Sequence, residues 1–518
     1  MNICRSIFIL LALVSSASVL AFGSKVPNNV KLSKENKQPN VIFVFSDDQR
    51  YNSLSMTGDP VTQTPNLDKL AKEGVFFNQA FITSPICGPS RANIFTAQWE
   101  RKNKIGFNSL SNNMVSLDSF KKSWLMQLKD AGYSTAFIGK AHTKIVDKNE
   151  IFLRNNIDFA YYRQGHIGFY LDNPKKPQFH NLVNKTQIEG FFEATKAYLS
   201  QGSEYEYFYK NAHKSVKNSI EKRDPNKPFA AWINFNLPHA SSIGGMGTRD
   251  SDPAHYRTLY QEDDIELPEG YPLKVSLPNE VFSSDDLMKY YKVSNPNKLK
   301  RKKLSMSRAV HSIDKFMGDL RTYLTSIGEQ DNTIIIFCSD NGLLLGEHGL
   351  GGKSILYDEN VHVPLIVYSP FFDKKIQGQQ ISELVVGQDI PATILDLAGL
   401  NIPDTYQGKS FIPLIEGQDI EWRKKVFLEN LFTDQGYPRQ EGLRTKEYKY
   451  IRSFSKTEDR KKYLPEHSVE TGELPIYEEL FHITTDTTES DNLATKPEYK
   501  AVLEHFRTQT TKTLKSLL

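Results

Sequence analysis

Residues 40–50 read NVIFVFSDDQR: an apolar run from Val41 to Phe45 passes straight into Ser46, Asp47 and Asp48. A short continuous apolar run that ends abruptly in polar residues reads as a strand buried on both faces, as in a parallel sheet. The same unit recurs in STAFIGKAH (134–142), PFAAWINFNLPH (228–239) and NTIIIFCSDNG (332–342), and VPLIVYSP (363–370) extends the series. Helical patterns lie between these runs. TPNLDKLAKEG (64–74) offers Thr64 as N-cap, Pro65 at the first helical position and Gly74 as the stop. FKKSWLMQLKDAGY (120–133), MSRAVHSIDKFMGDLRTYLTSIG (306–328) and DIPATILDLAGL (389–400) supply further helical segments, and VFFNQAF (75–81) supplies another strand. Alternating strands and helices of this kind predict an α/β protein: a large, mixed, mostly parallel sheet flanked by helices.

The polar residues of these units share one position. Asp47 and Asp48, Lys140 and His142, His239, and Asp340 and Asn341 each fall just past the C-terminal end of an expected strand. In an open parallel sheet those ends meet along one edge, where ligands bind. A single Ser-Asp-Asn after a strand is ordinarily only a turn. Several segments aiming carboxylates, a carboxamide, imidazoles and an ammonium at one crevice predict a site.

Composition sets the limits. The chain has 518 residues, 39% hydrophobic and 11% aromatic, enough for a large core and about three domains' worth of length. A formal charge of +3 gives no reason to expect nucleic acid as a partner. Even KLKRKK (298–303) reads as the solvated approach to a helix. Between Asp147 and Lys227 the alternation dissolves into a polar and aromatic stretch, and a second irregular stretch runs from Ala240 to about Asn297. Long insertions at the active edge of such a sheet are typical binding loops, which makes Arg163, His166 and Tyr170 substrate-contact candidates by location. Beyond residue 400, KVFLEN, EGLRTKEYKYIRSF and EELFHITT read as antiparallel strands followed by a C-terminal helix. The expected organisation is therefore 38–400 as the catalytic part and 401–518 as a smaller α+β subdomain containing an antiparallel sheet.

Residues 1–23 have the order of a secretory signal peptide: Arg5, an apolar run from Ile7 to Val14, then small residues to Ala21 and Gly23. No stretch reaches the roughly 20 apolar residues of a membrane span. The expectation is a secreted or periplasmic protein. Cleavage would remove Cys4 and leave Cys87 and Cys338. Export favours disulfides, but Cys338 lies inside an apolar strand, where a buried small hydrophobe is the expected role.

Cys87 lies in SPICGPSRANI (84–94), and its CGPSR resembles the C-x-P-S-R signature of type I sulfatases, within the alkaline phosphatase superfamily. The resemblance extends through VIFVFSDDQR, GKAH (139–142), LPHA (237–240), SDNGLLLGEHGLGGKSILYDENVHVPLIVY (339–368) and EELFHITTDTTESDNLA (478–494), and includes bacterial polysaccharide sulfatases. It implies an alkaline phosphatase-like fold and a Cys87 oxidised to formylglycine by a maturation enzyme that reads Pro89, Ser90 and Arg91. A hydrated aldehyde supplies one hydroxyl to attack sulfur and a second to expel sulfate, chemistry a thiol lacks. Asp47, Asp48, Asp340 and Asn341 offer hard oxygens suited to Ca²⁺ rather than Zn²⁺. The resemblance implies one such ion, touching the nucleophile derived from Cys87 and a sulfate oxygen. It further implies Arg91 turned back toward that centre, Lys140 near the formylglycine, Lys353 on the sulfate, His142 as the base of the second step and His239 beside the leaving oxygen.

Glu347 and His348 in GEHG invite reading as metal ligands, but a loop role is preferred. The sequence departs from the family pattern at Ser241, where a proline often stands, and at His362, where an arginine is common. Neither change removes a catalytic group. The leading expectation is a calcium-dependent sulfuric ester hydrolase acting on a sulfated polysaccharide or oligosaccharide. The alternatives are a phosphonate monoester or phosphodiester hydrolase of the same superfamily, and a non-catalytic sulfated-glycan-binding protein that keeps Cys87 as a thiol.

Overall fold

The structure is a computed structural model that describes residues 38–517 except 108–113, 144, 146–150, 164, 172–185, 201–204, 212–213, 221–222, 283–284, 434–435 and 455–467. The expected signal peptide lies outside the described residues.

The central sheet has eight strands: β1 (Asn40–Asp47), β2 (Val75–Phe77), β3 (Ser134–Lys140), β4 (Phe159–Arg163), β5 (Phe229–Pro238), β6 (Thr333–Ser339), β7 (Leu365–Tyr368) and β8 (Gln379–Ile381). Their spatial order is β8-β2-β7-β6-β1-β5-β3-β4. Every neighbouring pair is parallel except those made by β7, which runs antiparallel to both β6 and β2. The sheet is thus mixed and mostly parallel, as expected. Register aligns the strand ends: Phe45 of β1 pairs with Cys338 of β6 and Asn234 of β5, and Asn234 pairs in turn with Gly139 of β3.

Helices cover both faces: α1 (Pro65–Glu73), α2 (Cys87–Thr96), α3 (Glu100–Asn103), α4 (Trp124–Asp130), α5 (Gln187–Leu199), α6 (Asp285–Tyr291), α7 (Pro296–Ser326), α8 (Asp389–Leu397) and α9 (Lys500–Leu517). Alternation along β1 divides the core between the faces. Ile42 and Val44 join Ile313, Phe316 and Leu320 of α7 in one cluster, whereas Val41, Phe43 and Phe45 join Trp124 of α4 and Ile390 of α8 in the other. Cys338 is buried in the second cluster, and both Cys87 and Cys338 are free thiols.

A second sheet of four antiparallel strands follows in the order β9 (Val426–Asn430), β10 (Gln440–Arg444), β11 (Tyr448–Ser453) and β12 (Tyr477–His482), with α9 against it. It is fastened to the first by a buried ion cluster in which Arg101 of α3 reaches Glu429 at 2.7 Å and Glu441 at 2.9 Å. Among the described residues, no helix is long and apolar enough to cross a membrane.

Three local expectations change. The stretch 147–227 is not wholly irregular, because it contains the edge strand β4, the helix α5 and an antiparallel hairpin over Tyr205–Asn211 and Lys214–Ile220. The aromatic FAYYR of β4 has no polar alternation to mark it, since most of it is buried. KLKRKK is not an approach to a helix but part of α7 itself, with Leu299 fully buried. Thr64 occupies the cap position of α1 without capping it, since its hydroxyl donates to Asp68 Oδ1 at 2.9 Å.

Candidate active site

The aligned strand ends deliver the candidate side chains to one edge. Asp47 is the last residue of β1, and Asp48 follows in the left-handed conformation (φ 65°), which Asp tolerates better than most residues. The Asp48 N–H donates to Asp340 Oδ1 at 3.2 Å, which links the ends of β1 and β6. Lys140 ends β3, His142 lies just past it with φ 49°, and His239 follows β5. Left-handed non-glycine residues clustered at one edge are a strained arrangement that the surrounding packing must hold.

Cys87 is the first residue of α2, a helix buried along its whole length. Its thiol donates to Asp47 Oδ1 at 3.4 Å and accepts from Lys353 Nζ at 2.6 Å. Burial above all, with the charge of Asp47 adding, pushes the thiol up to about 12 against the pull of Lys140 and Lys353. Such a cysteine stays protonated at neutral pH and is a poor thiolate nucleophile. Lys353 also donates to Asp48 Oδ1 at 2.6 Å; its own burial works against the ammonium, but Asp48 and its neighbours hold its pKa well above the ordinary value.

One turn further along α2, Arg91 is almost wholly enclosed. Its Nε donates to Asp340 Oδ2 at 2.9 Å, and its other nitrogens donate to the carbonyls of Lys140 and Phe235 and to Asn234 Oδ1. It therefore braces the strand ends as well as charging the site. Lys140 forms an ion pair with Asp47. Burial raises the Asp47 pKa, but Lys140, His239, Lys353 and Arg91 outweigh it and hold the carboxyl well below the usual range. Asp340 is shifted the other way, by burial and by the charge of Asp47. Burial lowers both His142 and His239, the latter to about 4, so both imidazoles are neutral at pH 7 and able to accept a proton.

Asp47, Asp48, Cys87, Arg91, Lys140, His142, His239, Asp340, Asn341 and Lys353 therefore lie in one cluster. Asp47, Asp48, Cys87 and His239 bring ligand atoms within 4.8 Å of one another. Asp48 Oδ2 and Asn341 Oδ1 are buried and accept no hydrogen bond, while Asn341 Nδ2 donates to Asp48 Oδ1 at 2.6 Å. Buried oxygens left unsatisfied are costly unless something positive meets them. With the Asp47 carboxylate they offer hard oxygens of the kind that suit Ca²⁺, and Asp340, whose oxygens accept from the Asp48 N–H and Arg91 Nε, stands beside them.

His166 had only its location to recommend it; its ring lies 4.4 Å from that of His239 and 5.0 Å from that of His142, at the mouth of the cluster. It follows β4 just as the others follow their strands, and the signal was missed because β4 itself was. Tyr170 lies farther out, hydrogen-bonded to Asp252 with Arg249 over its ring. Arg163 ends β4. Glu347 pairs with Arg50 through two contacts of 2.9 Å, and His348 stacks on Tyr357, so both serve the loop. Asn234 and Tyr437, whose hydroxyl accepts the Lys353 N–H at 3.2 Å, were not foreseen. Each is one polar residue in an apolar strand or loop and carries no signal in isolation. His362 stacks between Tyr51 and Phe81 and donates from Nε2 to the Asn78 carbonyl at 3.0 Å, an aromatic-lined position away from the cluster.

Comparison with known proteins agrees with this geometry. The chain is 28% identical over 484 residues to an N-acetylglucosamine-6-O-sulfatase of Bacteroides thetaiotaomicron, covering 83% of this chain and 81% of the relative. A solved structure described as in complex with D-glucosamine-2-N,6-O-disulfate superposes with a TM-score of 0.66 at 21% identity, over 93% of this chain and 98% of that one. A phosphonate monoester hydrolase of Agrobacterium radiobacter superposes with a TM-score of 0.68 at 19% identity, over 93% of this chain and 96% of that one. At those identities the structures speak for the alkaline phosphatase-like fold alone. The family model for N-sulphoglucosamine sulphohydrolase, C-terminal, matches residues 346–516. The sulfatase family model matches residues 39–400, well over half of the sequence, and the chain accordingly belongs to the sulfatase family and is a sulfate ester hydrolase.

Proposed function

We propose that this sulfatase removes sulfate from a sulfated polysaccharide or oligosaccharide, using a formylglycine made from Cys87 by a maturation enzyme and one Ca²⁺ held by Asp47, Asp48, Asp340 and Asn341. The observation that carries this reading is Cys87 itself. It stands at the focus of the cluster, in contact with Asp47 and Lys353, yet its thiol is pushed up to about 12. A residue so placed is in the position of a nucleophile and in the wrong protonation state to act as one, which conversion to an aldehyde resolves. The aldehyde hydrate supplies one hydroxyl for attack on sulfur and a second whose deprotonation expels sulfate. On this reading the attacking oxygen takes the place of Cys87 Sγ.

The remaining roles fall to this chain's own residues. Lys353 offsets negative charge on the sulfuryl group, while Arg91 holds Asp340 and the strand ends in place. Lys140 keeps Asp47 ionised. His239 faces Asp48 and is neutral, suited to hydrogen-bond the ester oxygen, and the neutral His142 accepts the proton of the second hydroxyl, help worth roughly 10²–10⁴-fold. Residues 38–400 carry every one of these groups, and 401–518 contributes a wall through Tyr437 and Phe432. The amino-terminal signal supports a secreted or periplasmic enzyme. Preference for a glycan is supported by the N-acetylglucosamine-6-O-sulfatase relative.

The test is sulfate release across a panel of sulfated algal and animal glycans by the matured enzyme, with Cys87→Ala as control. Release from at least one glycan, abolished in Cys87→Ala, is expected. Hydrolysis of a phenyl phosphonate in preference to an aryl sulfate would instead favour the phosphonate monoester or phosphodiester reading, and tight glycan binding with a persistent thiol and no release would favour a binding protein.

A further inference from the structure

The basic run 298–303 has no part in the cluster described above, yet one of its lysines turns toward the site. Lys302 of α7 places its Nζ 4.7 Å from the ring centroid of Tyr290 and 4.9 Å from that of Tyr291, and donates to the Tyr290 carbonyl at 3.3 Å. The two rings meet edge to face at 4.9 Å. Tyr291 is buried and packs against the glycines that lead into Lys353: a Cβ on Gly351 would lie 2.6 Å from Tyr291 Cβ, and one on Gly352 would lie 3.1 Å from Tyr291 Cε2. The pair therefore stands directly beside the Lys353 segment. Tyr290 is 48% exposed, which leaves a ring open to solvent on this wall.

Two features of this corner point to a ligand. Among the described residues Lys302 has no carboxylate partner, although the site carboxylate of Asp48 is near enough for its charge to be felt at the Lys302 ammonium and the Tyr290 hydroxyl. A second positive charge is felt at Lys302: that of Lys292, which is exposed, in the left-handed conformation (φ 61°), and turns the chain between α6 and α7. Burial first, and the charge of Lys292 second, push Lys302 down to about 8. The ring faces hold the Lys302 ammonium without neutralising it, and an anion placed beside it would offset the repulsion from Lys292. An open tyrosine face beside a cation suits a sugar ring that carries an anionic substituent.

We propose that Lys302, supported by Lys292 and the open face of Tyr290, forms a specificity subsite for a second anionic group, sulfo or carboxylate, on the glycan whose scissile sulfate sits at Cys87. The enzyme then prefers sugars bearing two or more anions. This rests on the proposed glycan function, but its test is a binding measurement that does not depend on turnover. Heparin hexasaccharide, its carboxyl-reduced form and inorganic sulfate serve as probes in calorimetric titrations of wild type, Lys302→Gln and Lys302→Arg. Lys302→Gln is expected to weaken hexasaccharide binding about 10- to 100-fold, the worth of a hydrogen bond to a charged group. Inorganic sulfate, a single anion destined for the Cys87 pocket, weakens far less, and Lys302→Arg recovers most of the hexasaccharide affinity. Persistence of the Lys302→Gln effect with the carboxyl-reduced probe assigns the subsite to a sulfo group, and its loss assigns it to a carboxylate. Equal weakening of hexasaccharide and inorganic sulfate, no weakening of either, or no hexasaccharide binding by wild type would overturn the subsite. Failure of sulfate release with the Lys302 dependence intact would overturn the catalytic reading alone.

Discussion

Replacing Glu347 by glutamine removes the charge that ties two site loops together. Glu347 lies on the loop between β6 and Lys353 and accepts two hydrogen bonds of 2.9 Å from Arg50, on the loop that leaves Asp47 and Asp48. Burial would raise the Glu347 pKa, but the Arg50 guanidinium, assisted by Lys303, outweighs it and holds the carboxyl at about 2. Against the ordinary value of 4.5, that difference corresponds to about 3 kcal/mol of stability at neutral pH. Because the folded value is depressed, the contribution is complete above about pH 4.5 and is lost as pH falls through about 2. Equilibrium urea unfolding, followed by tryptophan fluorescence, should show Glu347→Gln less stable than wild type by about 3 kcal/mol at pH 7 and by about 2 kcal/mol at pH 3.5. A gap near zero at pH 7, or one that does not narrow on acidification, would refute the assignment of Glu347 as the charge partner of Arg50.

Other outcomes follow from the same contacts. Arg101→Met strips a buried cation from Glu429 and from Glu441, and should lower stability by about 3–5 kcal/mol, read as a lower urea midpoint; an unchanged midpoint would show that the cluster does not fasten the second sheet. Gly139→Ala places a Cβ 2.0 Å from the Asn234 carbonyl oxygen at φ 97°, where β3 and β5 pair. A loss on the order of 3 kcal/mol in thermal unfolding is expected, and wild-type stability would count against the close approach. Exhaustive chelation should abolish sulfate release, with recovery on adding Ca²⁺. Adding Ca²⁺ at 100 times its dissociation constant should stabilise the chelated protein by about 2.7 kcal/mol, whereas activity indifferent to chelation would remove the metal from the account.

Much of the site was legible because its residues obey one local rule: each follows a short apolar run. Asp47, Lys140, His239 and Asp340 could be placed at one edge without knowing the strand order, since parallel strands put all such ends on the same side. What stayed hidden depends on partners far away in the chain. Glu347 finds Arg50 at a separation of 297 residues and Arg101 finds Glu429 at 328, and a single sequence marks neither pairing. β4 escaped because a buried aromatic edge strand looks like the aromatic loop around it, and with it went the place of His166. The direction of β7 was hidden too, because an apolar run reads the same in either orientation. Lys302 was lost in a run that looked like a solvated face, although helical periodicity turns part of any such run inward.

The central claim is that residue 87 acts as an aldehyde and not as a thiol. Its most direct test is the mass of the peptide spanning residues 84–94, measured on the same preparations in which sulfate release is assayed. The aldehyde form is expected in every active preparation, with sulfate release proportional to the fraction converted. Full activity in protein whose residue 87 is entirely unmodified cysteine would contradict it.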